Sequence, residues 1–110
     1  MANTFKRYTE RSVGTTVVTV GSYTVGSSTE TTLIGLTVAN VYTASINVDV
    51  ILNDGVNDTY VVKEAPVPTG GTLVVVGGDQ KIVLEAGDSI KVSSSDAASA
   101  DVIMSLLEIT

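Results

Sequence analysis

The sequence predicts an all-β fold, a single antiparallel β-sandwich of jelly-roll-like order with about eight short strands and an extended N-terminal arm. Three observations lead there. Residues 72–92, TLVVVGGDQKIVLEAGDSIKV, set two tight-turn signals, at Gly77-Gly78-Asp79 and Ala86-Gly87-Asp88, between three aliphatic and β-branched runs. Glycine adopts the positive φ of such turns without steric cost, so the stretch reads as a strand-turn-strand-turn-strand meander. Residues 44–53 alternate Ile46, Val48, Val50 and Leu52 with Ser45, Asn47, Asp49 and Ile51, the period of a half-exposed antiparallel strand. Turn signals recur roughly every eight to twelve residues, which suits a sandwich, with a barrel as the close alternative.

Residues 1–12 have the polarity of an arm, and Phe5 and Tyr8 give it two aromatic anchors beside Lys6, Arg7 and Arg11. Aromatic residues and arginine are enriched where proteins anchor partners, so this arm is expected to order against a neighbouring subunit, with residues 13–110 as the sandwich domain. Residues 13–25, VGTTVVTVGSYTV, suit a strand, a bend or bulge, and a second short strand. After a GSSTE loop, residues 31–40 place Ile34, Leu36 and Val38 on one face and Leu33, Gly35, Thr37 and Ala39 on the other. Asn53-Asp54-Gly55 is a turn, and 60–63 resumes an extended run. Pro66 and Pro68 remove two backbone donors, so 65–71 is a crossover or sheet-edge segment and not a central strand. SSSDAASA is a loop long enough to cross the sandwich. The last segment, 101–110, is apolar on both sides: Ile103, Leu107 and Ile109 on one, Val102, Met104 and Leu106 on the other. Such a strand is either central and covered twice or part of an interface. The second reading gives Val102, Met104 and Leu106 as self-association residues.

Composition narrows function. The 110 residues contain no cysteine and no histidine, which removes Ser-His and Cys-His nucleophiles and the usual zinc sites. Mean hydropathy is positive and only 16% of residues are charged, apolar enough that some surface is expected to meet a partner. The net charge of -6 is uneven: residues 1–11 carry Lys6, Arg7 and Arg11 against Glu10, whereas 12–110 carry three lysines against eleven acids. An acidic body repels phosphate backbones, so no nucleic-acid partner is expected. No segment has the length of a membrane span or the layout of a signal peptide.

Two carboxylate groupings have the oxygens a site needs. Asp54, Asn57 and Asp58 supply oxygens for calcium, but their spacing is not that of an EF-hand and Asx residues beside glycine are what turns use. Asp79 and Asp88 form a conceivable glycosidase pair, but each follows a turn glycine, and a chain without Trp lacks sugar platforms. The glycine pairs 70–71 and 77–78 precede strands, so they lack the helix N-terminus of a phosphate loop.

The segments MANTFKRYT at the start, TLIGLTVAN, VDVILNDG, the long run 60–95 and the closing ADVIMSLLEIT, in that order and at this length, resemble a family of small virion structural proteins of tailed bacteriophages, especially those infecting marine bacteria and cyanobacteria. The resemblance covers nearly the whole chain. It implies a role in the particle, with no catalytic residues. The expectation is a non-enzymatic capsid decoration or cement subunit, assembled in the host cytoplasm into the virion, that self-associates, with a trimer preferred, and docks on the major capsid protein through Phe5, Lys6, Arg7, Tyr8 and Arg11. The alternatives are a neck or tail adaptor or fibre-attachment module, and a carbohydrate-binding module for host adsorption. No cofactor, metal, membrane or small-molecule substrate is expected.

Overall fold

A computed structural model of the chain describes residues 2–110. Among the described residues nine strands are present: β1 (Asn3–Val13), β2 (Val18–Thr19), β3 (Glu30–Asn40), β4 (Ile46–Asn53), β5 (Asp58–Val67), β6 (Thr72–Val76), β7 (Ile82–Leu84), β8 (Ser89–Ser94) and β9 (Ala100–Ile109). A single 3-10 turn at Val20–Ser22 follows β2. One sheet runs β1-β9-β3-β6, with β7 also on β3; the other runs β2-β8-β4-β5. All pairings are antiparallel. The two sheets pack face to face as a sandwich in jelly-roll order.

β6 and β7 are two halves of one interrupted strand. Thr72 to Val76 pair with Ala39 to Leu36, and Ile82 to Leu84 continue along Leu33 to Thr31. The meander expected over 72–92 is therefore corrected. The Gly77–Gly78 turn, closed by a Gln80 N–H to the Gly77 carbonyl, is an excursion within an interrupted strand, and the turn at Gly87 carries the chain across to β8 in the other sheet. Local turn chemistry fixes where the chain bends, whereas pairing partners are chosen by non-local burial.

Register decides which side chains meet the core. Residues directly opposite one another in an antiparallel pair share a face. On the inner face of the first sheet the rows are Lys6–Leu106–Leu33–Ile82, Tyr8–Met104–Leu36–Val76 and Glu10–Val102–Val38–Leu73. A register shift between Leu33 and Gly35 makes Ile34 an extra residue. That bulge corrects the alternation expected for 31–40: Leu33, Leu36 and Val38 are all buried together, while Ile34 is only half-buried. Against these residues the second sheet sets Ile46, Val48, Val50, Ile90 and Val92. Pro66 lies in β5, an edge strand, where its missing N–H breaks no ladder.

Two polar devices close the ends. Buried Asn40 donates from its amide to the Ala44 and Val67 carbonyls and accepts from Tyr42 N–H, which fixes the loop between β3 and β4. Buried Ser99 donates to the Asp96 carbonyl, holding the loop before β9. Among the described residues no helix is long and apolar enough to cross a membrane.

Candidate assembly surface

The segment expected as an arm ordering against a neighbouring subunit lies, from Asn3 onward, along the outer edge of this chain's own β9; Met1 falls outside the described residues. Its side chains alternate between two environments. Lys6, Tyr8 and Glu10 turn inward, and Phe5, Arg7 and Thr9 turn outward.

The inward set forms a polar and aromatic clasp. Lys6 Nζ lies 3.1 Å from Glu108 Oε1. The Tyr23 hydroxyl donates to Glu108 Oε2 at 2.6 Å and lies 3.0 Å from Thr31 Oγ1. The Tyr8 and Tyr23 rings are 4.7 Å apart at 31°. Glu10 Oε1 accepts the Gly21 N–H, and Ser12 N–H donates to Asp101 Oδ1. Gly21 sits at φ 60, and a Cβ there would stand 2.7 Å from Tyr8 atoms, so glycine is what lets the ring approach. The Tyr23 hydroxyl donation, and after it Lys6, holds the Glu108 carboxyl below its ordinary range against the opposing effect of burial. Burial first, then the neighbouring Glu108, pushes the Tyr23 hydroxyl up to about 12.

The outward set belongs to a broader apolar face. Across the sheet the rows read Phe5–Leu107–Thr32–Val83 and Thr9–Ile103–Thr37–Val74, with Arg7–Ser105–Gly35 between them. Phe5 is 75% exposed, Val83 69%, Val74 63% and Ile103 51%. The opposite outer face, on the second sheet, is polar: Asp49 pairs with Ser93, Asn53 with Ser89, and a row Thr19–Lys91–Ile51–Tyr60 crosses it. Its Ile51 is buried, and the Lys63 ammonium lies 5.1 Å from the centre of the Tyr60 ring. An antiparallel sheet ordinarily turns a polar face to water, so the first sheet is the unusual one.

The docking residues read from the sequence are thus divided. Phe5, Arg7 and Arg11 stand at the surface, whereas Lys6 and Tyr8 are occupied by the clasp. Val102, Met104 and Leu106 are buried in this chain's own core, at 1% exposure or less, so their side chains are not on a surface a partner touches. The β9 side chains that do reach the outside are the alternate ones, Ile103 foremost. The sequence reading saw both faces as apolar and missed Val74 and Val83, because only the pairing of β6 and β7 with β3 sets them beside Ile103 and Leu107.

Asp54, Asp58 and Asp88 accept hydrogen bonds within their own turns. Asp54 Oδ1 accepts the Val56 and Asn57 N–H groups, which hold its carboxyl below the ordinary range, and Asn53 donates to Asp58 Oδ1. Asp88 Oδ2 accepts the Glu85 N–H. These carboxylates are spent on turns.

No family model and no curated protein matches the sequence. Solved structures do match its fold. A chain from the acid-stable capsid of the Helicobacter pylori bacteriophage KHP30 superposes with a TM-score of 0.58 at 9% identity, covering 100% of this chain and 89% of that one. The fold recurs in a phage capsid. A chain of the Bacillus endospore appendages, described as disulfide-linked pili, superposes with a TM-score of 0.59 at 15% identity, covering 98% of this chain and 88% of that one. This chain has no cysteine, so disulfide linkage is not available to it.

Proposed function

We propose that this protein is a non-enzymatic structural subunit of a phage particle, a capsid decoration or cement protein that docks on the major capsid protein through the outer face of the β1-β9-β3 sheet. The observation that carries the proposal is the contrast between the two outer faces, one apolar around Phe5, Ile103, Val74 and Val83, the other polar around Asp49, Asn53 and Lys91. A subunit that lies on a shell needs that asymmetry: one face against its partner, one toward water. Fully covering an exposed aliphatic or aromatic side chain is worth about 1.5–3 kcal/mol, so these four, already a quarter to a half covered, contribute on the order of 4–8 kcal/mol before the cost of association, which is of similar size. A face of this kind binds weakly alone and firmly when copies are held together in a lattice. Arg7 and Arg11 add a positive rim on an otherwise acidic body, which favours an acidic partner surface. The fold shared with a phage capsid chain and a pilus chain agrees with a building-block role.

The test is occupancy on particles. Replacing Phe5 and Ile103 together by serine leaves the fold intact and is expected to strip most copies from the particle, counted by quantitative mass spectrometry; unchanged occupancy sinks the docking face. The same count separates the shell from the tail. Hundreds of copies per particle place the subunit on the shell, and six or twelve place it at the neck or tail as an adaptor.

A further inference from the structure

We propose that β1 is exchanged between copies, so that residues 3–11 leave the edge of their own sheet and complete the β9 edge of a second copy. The inference goes beyond the docking reading and names a contact for the self-association expected from the sequence. Three observations carry it. β1 is an edge strand whose one fully buried side chain is Val13, with Tyr8 half-buried against Tyr23, and Val13 stays with the body through its pairing with Ala100 and the Ser99 N–H to its carbonyl. What recognises residues 3–11 lies outside them: β9 along the ladder, Glu108 for Lys6, Tyr23 for Tyr8 and the Gly21 N–H for Glu10. These partners are the same on any copy, so the strand forms the same bonds with a neighbour as with its own chain, which is the condition for strand exchange.

The third observation is the hinge. The register of β1 on β9 breaks between Glu10 and Val13, and Ser12 stands there at φ 56, a left-handed conformation that favours glycine. Keeping residues 3–10 in register on their own β9 requires that left-handed residue at the bulge. An extended Ser12 carries β1 away from its own β9 and relieves the strain, and a strained short hinge is what drives exchange between copies.

The absence of cysteine makes the test direct. Thr9 and Ile103 face each other across β1 and β9, and both are exposed. Full-length chains carrying T9C and full-length chains carrying I103C are refolded together and treated with a short bifunctional thiol reagent. Exchange gives covalent dimers joining one variant to the other; the out-of-register mixture of T9C with L107C gives few, since Leu107 faces Phe5. A single chain carrying both T9C and I103C calibrates the reagent by closing on itself. Adding S12G to both chains removes the strain of the bend and is expected to lower the mixed-dimer yield about fivefold or more. Oligomers by sedimentation with no mixed dimer overturn strand exchange and leave self-association standing. A monomer overturns both. Equal bridging in the T9C with L107C mixture also overturns the exchange, because it shows proximity without register.

Discussion

At the scale of single residues, Glu108 does more than its sequence neighbourhood announces. It sits in a strand of aliphatic residues, yet it is buried, takes the Tyr23 hydroxyl and meets Lys6 from β1. Because its folded carboxyl lies below the ordinary value of 4.5, the stability it contributes is present above that value and is lost as pH falls through the lower, folded one. We expect E108Q to lower stability by about 1 kcal/mol near neutral pH, with the difference from wild type shrinking below pH 4.5, measured as thermal midpoint against pH. Lys6 is shifted upward by the same pairing, so its contribution is kept below its ordinary value of 10.5 and lost as pH rises through the folded value. Met104 and Ile103 make a second residue-scale comparison, adjacent in sequence and opposite in consequence. Met104→Ala opens a void in the core and is expected to cost about 2–5 kcal/mol in urea unfolding, whereas Ile103→Ser stays within about 0.5 kcal/mol.

At the scale of elements, β3 and β1 depart most from their sequence pattern, and each departure has a local cause. A simple period of two through 31–40 puts Leu33 and Leu36 on opposite faces; the extra residue Ile34 restores both to the core. Bulges are invisible to a period count because a strand with one extra residue looks like two short strands out of phase. In β1 the polar alternation resembles an arm, since Lys6 and Glu10 are not core residues by type, and only the juxtaposition of Glu108 and Gly21 gives them partners. Gly21→Ala tests that clasp. A Cβ at φ 60 and 2.7 Å from Tyr8 must displace the ring, and the expected result is faster amide exchange along residues 3–11 with the rest of the sandwich protected. Unchanged protection there shows that Tyr8 does not hold β1.

At the scale of the whole molecule, the sandwich measures 46 × 28 × 20 Å and separates what the sequence mixed together. Apolar residues fill the space between the sheets and also cover the outer face of one of them, while most charges gather at turns, edges and the other face. The positive mean hydropathy thus has a location. Docking through the apolar side predicts that a double substitution of Ile103 and Val74 by serine lowers occupancy on particles, counted by mass spectrometry, while changing stability in urea unfolding by no more than about 1 kcal/mol. Occupancy equal to wild type removes this face from docking.

The residues in order are enough to make this chain a small all-β domain, sandwich or barrel: the alternation of 46–52, the glycine turns and the β-branched runs each constrain the backbone locally, and they agree with one another. They also determine the want of histidine and cysteine chemistry. Only the tertiary structure decided which strands pair, that β6 and β7 are one interrupted strand, and that Val102, Met104 and Leu106 face inward while Ile103 faces out. The reason is physical. Turns and periodicity act over a few residues, but the choice of face depends on register against strands far away in the chain, and one bulge in β3 or one crossing at Gly87 reassigns faces that local pattern alone leaves ambiguous.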